Sequence, residues 1–316
     1  HGHTFLPLQA PEVDPSQIAQ SDDDYAHWLG VPWQADVRQT LNIITPLKLD
    51  CLVVDHYALD SRWERTMSGV VGKIMVVDDL ANRPHVCSVL LDQNLGRVAS
   101  DYDGLLPAES QKLIGPDFAL LRPEFAAIRD QSLQRRKNAE LKRILVSLGG
   151  VDRNNITSLV LESLKVSPLP QSTELDIVMG VNSPHLDDVR NRANDLPFRT
   201  TVSVNVKNMA ERMHQADLSI GAAGGTSWER ACLGLPAVLV VLEANQYASA
   251  KALEIAGAAI LIGGTEAEIL RMPKIFANVL KLDRLKQMSK SASTITNGCG
   301  AERVARRLIA AGRSEI

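Results

Sequence analysis

The residues of this chain that are best suited to chemistry lie in a glycine-rich stretch, GAAGGTSWER, at 221–230. It follows an apolar, strand-like run at 216–220, and the spacing of Thr226 and Glu229 predicts a capping box that starts a short helix with Thr226 as its N-cap. A glycine-rich turn before a helix leaves backbone N–H groups free for a phosphate, and Glu229 could accept hydrogen bonds from a ribose. A tight strand-to-helix turn that binds no ligand is the alternative interpretation of the same pattern.

The elements that must position this stretch follow an α/β pattern. Short β-branched or leucine-rich runs alternate with longer helical patterns, which predicts parallel sheets with crossover helices. Ligands bind at the carboxyl ends of the strands in such sheets, where we expect the loops 149–152, 221–229 and 243–246. Together these loops could enclose a nucleotide diphosphate. The glycine pattern is neither GxGxxG nor GxxxxGK[ST], which disfavours a dinucleotide site and an ATP P-loop.

The first half of the chain carries a different set of polar residues. Strands are predicted at 51–54, 73–77 and 89–91, and a helix at 108–112. Asp55, His56 and Tyr57 follow the first strand and could orient a sugar or transfer protons. In the alternative interpretation Asp55 caps the next turn and His56 lies on the surface. Asp78 and Asp79 follow the second strand, but no second cluster at ligand spacing supports a metal site.

Composition excludes several classes of protein. The net charge is −3, so no overall basic field attracts nucleic acid or anionic lipid. The chain has no apolar run long enough to span a bilayer and no secretory signal pattern. Its four cysteines form no CxxC pair, which predicts reduced thiols and a cytoplasmic protein.

Several stretches, in order along nearly the whole chain, carry a specific resemblance. They are 54–60 with 63–64, 78–83, 91–94, 115–116 with 119–125, 146–152, 221–229 with 234–236, and 245–246. In these stretches the chain resembles the UDP-sugar hydrolases of pseudaminic acid biosynthesis, members of the GT-B superfamily that are related to the peptidoglycan N-acetylglucosaminyltransferase.

The resemblance implies a fold and a reaction. The expected fold is α/β and GT-B-like, with two Rossmann-like domains on parallel sheets and the N-terminal one incomplete. The expected boundaries are 1–123 for a partial sugar-side domain, 124–140 for a linker helix and 141–316 for a UDP-binding domain. The implied reaction releases UDP and the free sugar from UDP-2,4-diacetamido-2,4,6-trideoxy-β-L-altropyranose and water, with no metal or cofactor.

The resemblance also implies roles for particular residues. The catalytic candidates are Asp55, Tyr57 and Asn245. The UDP or substrate ligands are Gly149, Gly150, Gly224, Gly225, Thr226, Ser227, Glu229 and Gln246. The family carries a GTGHxxR-type motif whose histidine is the expected base, and no such motif occurs here. We therefore expect this chain to start after that unit, and His56 is a substitute candidate for the base.

Two other functions remain open on the sequence. One is a GT-B glycosyltransferase that moves a sugar from UDP to an acceptor, since either activity needs a site from which UDP leaves. The segment at 55–60 favours the hydrolase. The other is a UDP-sugar-binding fragment without catalysis, because the expected catalytic histidine is absent.

Overall fold

The computed structural model describes residues 3–9, 25–138, 140–281 and 283–310, and its strands form two parallel sheets. Each sheet belongs to its own unit. The first unit is His1–Gly115 together with Leu308–Ile316, and the second is Pro116–Arg307. The predicted α/β architecture is confirmed in both.

The first unit is built on a four-stranded sheet in the order β1-β2-β3-β4, with every pair parallel. The strands are β1 (Leu52–Val54), β2 (Ile74–Val77), β3 (Val89–Asp92) and β4 (Gln111–Ile114), and the helices are α1 (Trp33–Ile44) and α2 (Ser61–Met67). The helix predicted at 108–112 is wrong, because β4 begins inside that range. The Gln111 amide donates to the Ser88 carbonyl, and the buried Leu113 pairs with Leu91. Pairing with β3 outweighs the local helix propensity of this segment.

The second unit contains a six-stranded parallel sheet in the order β10-β9-β8-β5-β6-β7. Its strands are β5 (Arg143–Ser147), β6 (Glu174–Met179), β7 (Arg199–Val204), β8 (Leu218–Ala222), β9 (Ala237–Val241) and β10 (Ala259–Gly263). Its helices are α3 (Pro123–Arg136), α4 (Ile156–Lys165), α5 (Leu186–Asn194), α6 (Met209–Gln215), α7 (Thr226–Cys232), α8 (Gln246–Ile255), α9 (Glu266–Ile269), α10 (Met272–Val279), α11 (Arg284–Ser293) and α12 (Gly300–Ala310), whose residues from Leu308 onward belong to the first unit. The chain adds β6 and β7 on one side of β5 and then continues with β8 on the other. The strand order therefore reverses between β5 and β8, which is where open α/β sheets bind ligands.

The centre of this sheet is buried on both faces, since Leu145 and Ser219 of one face are as fully buried as the apolar residues of the other. Ile144, Val146, Leu218 and Ile220 are fully buried, and they belong to one core cluster with residues of the surrounding helices. Strands covered on both faces read as continuous apolar runs, which is why β5 and β8 could be recognised in the sequence. Their rigid carboxyl ends fix where the following loops begin.

The predicted linker is a helix, α3, and it packs on the second unit. Ser132 Oγ donates to the Leu233 carbonyl at 2.8 Å, and Arg129 Nη2 donates to the Ser293 carbonyl at 2.7 Å. The first unit ends at Gly115 and the second begins at Pro116, so the observed boundary lies eight residues before the one predicted at 123.

The structure does not contain the capping box predicted at Thr226. Helix α7 has Gly225 as its N-cap and no side-chain cap. Gly225 already has helical backbone angles (φ −54°, ψ −27°), and the Ser227 amide donates to the Gly224 carbonyl at 2.8 Å. The helix stop predicted at Gly234 is confirmed, since this glycine has φ +61° just after the helix.

A capping box does form at the N-terminus of α9, whose N-cap residue is Thr265. Thr265 Oγ1 accepts from the Glu268 amide, while the Glu268 carboxylate accepts from the Thr265 amide. We expect Thr265→Ala to lower the free energy of unfolding by about 1 kcal/mol, because the first amides of the helix lose their acceptor. Thr265→Ser is the matched control and should stay within experimental error of the wild type in chemical denaturation. Equal stability of the alanine and serine variants would contradict the role of this cap.

None of the described helices is both long and apolar enough to cross a bilayer; the longest of them, α3, has 14 residues.

Candidate functional site

The loops predicted to form a site lie at one edge of the second sheet. Ser147 at the end of β5 pairs with Gly221 in β8, and Ala222 pairs with Val240 in β9. All three strands are parallel, so the loops that follow them leave the same edge. The first two of these loops flank the point at which the strand order reverses.

Three glycines at this edge have no evident role in the protein's own folding. Gly150, Gly224 and Gly225 have backbone angles outside the left-handed region, and a Cβ built on any of them would meet no heavy atom within 4 Å. An alanine would therefore fit at each of these positions in the unliganded protein. Glycine without a conformational or packing requirement lets a ligand approach the backbone closely.

Gly149, in contrast, has a conformational requirement, with φ +104°. It begins the turn that leads to Asp152, whose carboxylate accepts from the amides of Ile156 and Thr157, each at 2.9 Å. Asp152 therefore already occupies the N-terminus of α4. The free space for an anion at this edge therefore lies beside Gly224 and Gly225.

A carboxylate and a guanidinium flank the glycine loop. The Glu229 side chain is 17% exposed, and its Oε1 lies 4.0 Å from Nη2 of Arg122. Arg122 also pairs with Glu124 at 3.0 Å and lies over the Phe125 ring at 5.4 Å. Burial raises the pKa of the Glu229 carboxyl, while the positive charges of Arg122 and Arg230 oppose that rise. A half-buried acceptor beside a half-exposed cation is suited to the hydroxyls and phosphates of a nucleotide.

The other predicted ligands of the second unit take different positions. Thr226 is exposed at the first position of α7, whereas the Ser227 hydroxyl is buried and has no hydrogen-bond partner among the described residues. Gln246 Oε1 accepts from the Leu242 amide at 3.1 Å, so this oxygen holds the β9–α8 loop together. Asn245 is the half-buried N-cap residue of α8.

In the first unit, His56 is poorly arranged to act as a base. Its Nδ1 accepts a hydrogen bond from the Ala58 amide at 3.0 Å, which places the ring proton of the neutral form on Nε2. Burial lowers the pKa of His56, with opposing effects from Asp36 and Asp55. The lone pair of the neutral ring is thus taken by the Ala58 amide, which leaves Nδ1 unavailable to accept a proton. Asp55, by contrast, is exposed directly after β1.

Tyr57 connects an aromatic cluster to a carboxylate. Its ring centroid lies 5.0 Å from that of Tyr25 and 5.5 Å from that of Trp28. Its side chain is also hydrogen-bonded to Asp79, and burial raises the pKa of that aspartate against this hydrogen bond. The first unit therefore places a phenol and a half-buried carboxyl together after β1 and β2.

Asp78, the neighbour of Asp79, is occupied by structural contacts. Its carboxylate pairs with Arg83 at 2.6 Å and lies 3.0 Å from the Tyr102 hydroxyl, which is equally close to Asp92. Arg83 Nε also donates to the Leu59 carbonyl at 3.0 Å, so this network holds the loop after β1. Within the described part of the chain, no three histidine, cysteine, aspartate or glutamate side chains are grouped as metal ligands.

Two residues near the glycine loop, Arg122 and Arg230, have no role predicted from the sequence. Arg122 is the N-cap residue of α3. A cation at a helix N-terminus is electrostatically unfavourable. A positive charge at the predicted start of a helix is therefore the signal in the sequence that could have identified Arg122 as a functional candidate. Arg230 is fully buried, and a sequence that places it next to Glu229 does not reveal that burial.

This chain is similar to known proteins both in sequence and in fold. The spore coat polysaccharide biosynthesis protein SpsG of Bacillus subtilis is 31% identical over 196 residues, which covers 60% of this chain and 56% of that protein. The UDP-2,4-diacetamido-2,4,6-trideoxy-beta-L-altropyranose hydrolase of Campylobacter jejuni is 28% identical over 189 residues, or 59% of this chain and 64% of the hydrolase. The matched region thus spans between about half and two thirds of the length of these relatives. The crystal structure of Acinetobacter baumannii MurG matches with a TM-score of 0.63 at 19% identity, over 90% of this chain and 79% of MurG.

A family model also matches the second unit. The model of the glycosyltransferase family 28 C-terminal domain matches residues 143–308, which is more than half of the chain and contains β5 to β10 with the glycine loop. The chain therefore belongs to the glycosyltransferase family 28 C-terminal domain family, and its fold is the predicted GT-B-like one.

Proposed function

We propose that the second unit binds the uridine diphosphate part of a UDP-sugar at the carboxyl ends of β5 and β8. The observation that carries this proposal is the open space around Gly224 and Gly225 beside the Glu229–Arg122 pair. The diphosphate would approach the glycine backbone, Glu229 would accept hydrogen bonds from the ribose, and Arg122 would turn from Glu229 toward a phosphate. The similarity to a UDP-sugar hydrolase supports uridine as the base.

The proposed reaction is hydrolysis at the anomeric carbon. A water oxygen attacks this carbon, the bond to the diphosphate oxygen breaks, the water proton passes to a base, and UDP leaves with the bonding electron pair. Backbone N–H groups of the glycine loop and the Arg122 guanidinium would stabilise the charge that develops on the leaving diphosphate. Asp55, Tyr57 and Asn245 keep the roles toward the sugar and the water that the resemblance implies. The name of the Campylobacter relative supports a 2,4-diacetamido-2,4,6-trideoxy hexose as the sugar.

Sugar transfer is the second candidate function, and the match to a glycosyltransferase family favours it. Hydrolysis and transfer both release UDP, and they differ in the group that attacks the sugar. Water attacks in the first case and an acceptor hydroxyl in the second.

An isotope experiment separates these two functions. The protein is incubated with UDP-2,4-diacetamido-2,4,6-trideoxy-β-L-altropyranose in ¹⁸O-labelled water, and the released sugar is analysed by mass spectrometry. We expect one labelled oxygen in the sugar, because the bond between the anomeric carbon and the diphosphate oxygen is replaced by a bond to the oxygen of water. Unlabelled product that forms only after an acceptor is added would instead establish transfer. If the protein binds the UDP-sugar but turns it over under neither condition, its function is UDP-sugar binding without catalysis.

A further inference from the structure

Arg230 is a buried cation directly beneath the glycine loop. Its residue is 2% exposed, and Nη1 donates to the carbonyl of Ala222, the last residue of β8, at 3.0 Å. Gly221 makes room for it, because a Cβ at Gly221 would lie 2.1 Å from Arg230 Nη2 and 2.7 Å from the Ser147 carbonyl oxygen. The guanidinium therefore lies at the point where β5 and β8 end side by side. The space that Arg230 needs therefore explains why residue 221 is a glycine, and a bound phosphate is not needed to explain it.

The charge of Arg230 is poorly compensated within the protein. No carboxylate of the described residues forms an ion pair with it, and its buried Nε has no hydrogen-bond partner among them. Glu229 acts on it only through space. Burial lowers the pKa of the guanidinium to about 10, so the side chain is still positively charged at neutral pH. A buried charge without an ion-pair partner is unfavourable for folding, so its presence points to a function other than stabilising the fold.

A second buried arginine shows what a structural role looks like in the same unit. Arg136 is also 2% exposed, and all three of its guanidinium nitrogens donate to backbone carbonyls. Their acceptors are Leu233 at 2.9 Å and Ala216 and Met213 at 2.6 Å each. Arg136 thus ties α3 to the chain around α6 and α7. Arg230 has one such bond where Arg136 has three.

We propose that Arg230 is the electrostatic anchor of an anionic ligand, a diphosphate group, at the loop 222–225. This proposal rests on the proposed function, because it takes the diphosphate to be that of UDP. The positive charge acts across the loop without touching the ligand, so Arg230 is a positioning residue. A unit charge in a partly buried setting changes the affinity for an anion about tenfold or more. The same charge has little effect on an uncharged nucleoside.

Three variants of the protein test this assignment. Arg230→Met removes the charge at similar volume, Arg230→Lys keeps a charge, and Arg136→Met is the matched control at the other buried arginine. Each is titrated with UDP, uridine and inorganic pyrophosphate by calorimetry, and its thermal unfolding is measured without ligand. We expect Arg230→Met to unfold at the wild-type temperature or above it, to lose about tenfold in affinity for UDP and pyrophosphate, and to keep its affinity for uridine. Arg230→Lys should retain more of the UDP affinity, and Arg136→Met should lose stability without changing the ratio of UDP to uridine affinity.

The alternative outcomes separate the two proposals. If the wild type binds UDP and Arg230→Met binds it equally well, the electrostatic role is wrong and the proposed function stands. If Arg230→Met does not fold, or loses stability as Arg136→Met does with the UDP-to-uridine ratio unchanged, Arg230 is structural. If the wild type binds pyrophosphate but not UDP, the uridine assignment fails while the role of Arg230 is still measured by pyrophosphate. Binding of neither ligand overturns both proposals.

Discussion

Replacing Glu229 by alanine weakens the binding of UDP by between about 1 and 3 kcal/mol if this carboxylate accepts hydrogen bonds from the ribose, since a charge-assisted hydrogen bond is then lost. The protein should remain folded. Glu229 lies in a helix, where alanine is favoured, and burial raises the pKa of its carboxyl against the positive charges of Arg122 and Arg230. Calorimetric titration with UDP measures the change in affinity, and thermal unfolding of the unliganded variant measures the change in stability.

Glu124→Ala is the matched control for this variant. Glu124 also pairs with Arg122, at 3.0 Å, but it lies on α3 and is not a proposed nucleotide ligand. Its loss should leave the UDP affinity within a factor of about two or three, or raise it slightly by releasing Arg122. A Glu229→Ala variant that binds UDP like the wild type would remove Glu229 from the site. An equal loss in both variants would show that the pairing of Arg122 is what matters.

A methyl group on Gly225 should block the proposed site without disturbing the fold. Gly225 has helical backbone angles and open space around the position of a Cβ, so Gly225→Ala is expected to unfold at the wild-type temperature or slightly above it. The methyl group would occupy the space in which the diphosphate approaches the backbone. We expect the affinity for UDP to fall at least about tenfold, or about 1.4 kcal/mol, in the same titration.

Gly69→Ala is the control for the effect of a glycine substitution as such. Gly69 lies in the first unit, outside the left-handed region, and a Cβ there would meet the Thr66 carbonyl oxygen at an ordinary 3.7 Å. This variant should match the wild type in both stability and UDP affinity. If Gly225→Ala also binds UDP normally, the open glycines are a feature of the turn and the diphosphate does not lie against them.

The architecture could be predicted because apolar strands and punctuating glycines act locally. The strands β5, β8 and β9 are short apolar runs buried on both faces, and Gly234 ends α7 in the left-handed conformation that glycine tolerates best. The helix predicted at 108–112 is wrong because the residues of this segment favour a helix locally, while pairing with the neighbouring strand β3 imposes an extended backbone. No local pattern reveals that a partner strand is available.

The candidate site was predictable in its loops and unpredictable in its charges. The glycine turns follow their strands directly, so the topology brings 149–150 and 221–225 to one edge. The contact of Arg122 with Glu229 joins residues more than a hundred positions apart, and the burial of Arg230 depends on the missing side chain of Gly221. Thr226 and Glu229 have the spacing of a capping box, but Gly225 starts the helix one residue earlier and leaves Glu229 beside Arg122. Such contacts follow from the assembled sheet and not from the spacing of residues.

The most direct test of the central claim is a calorimetric titration of the protein with UDP, with ADP and magnesium-ATP as controls. We predict saturable binding of UDP, weaker or undetectable binding of both adenine nucleotides, and UDP binding at least about tenfold weaker in the Gly225→Ala variant. A folded wild-type protein that does not bind UDP, or that binds ADP equally well, would contradict the assignment of this sheet edge as a uridine diphosphate site.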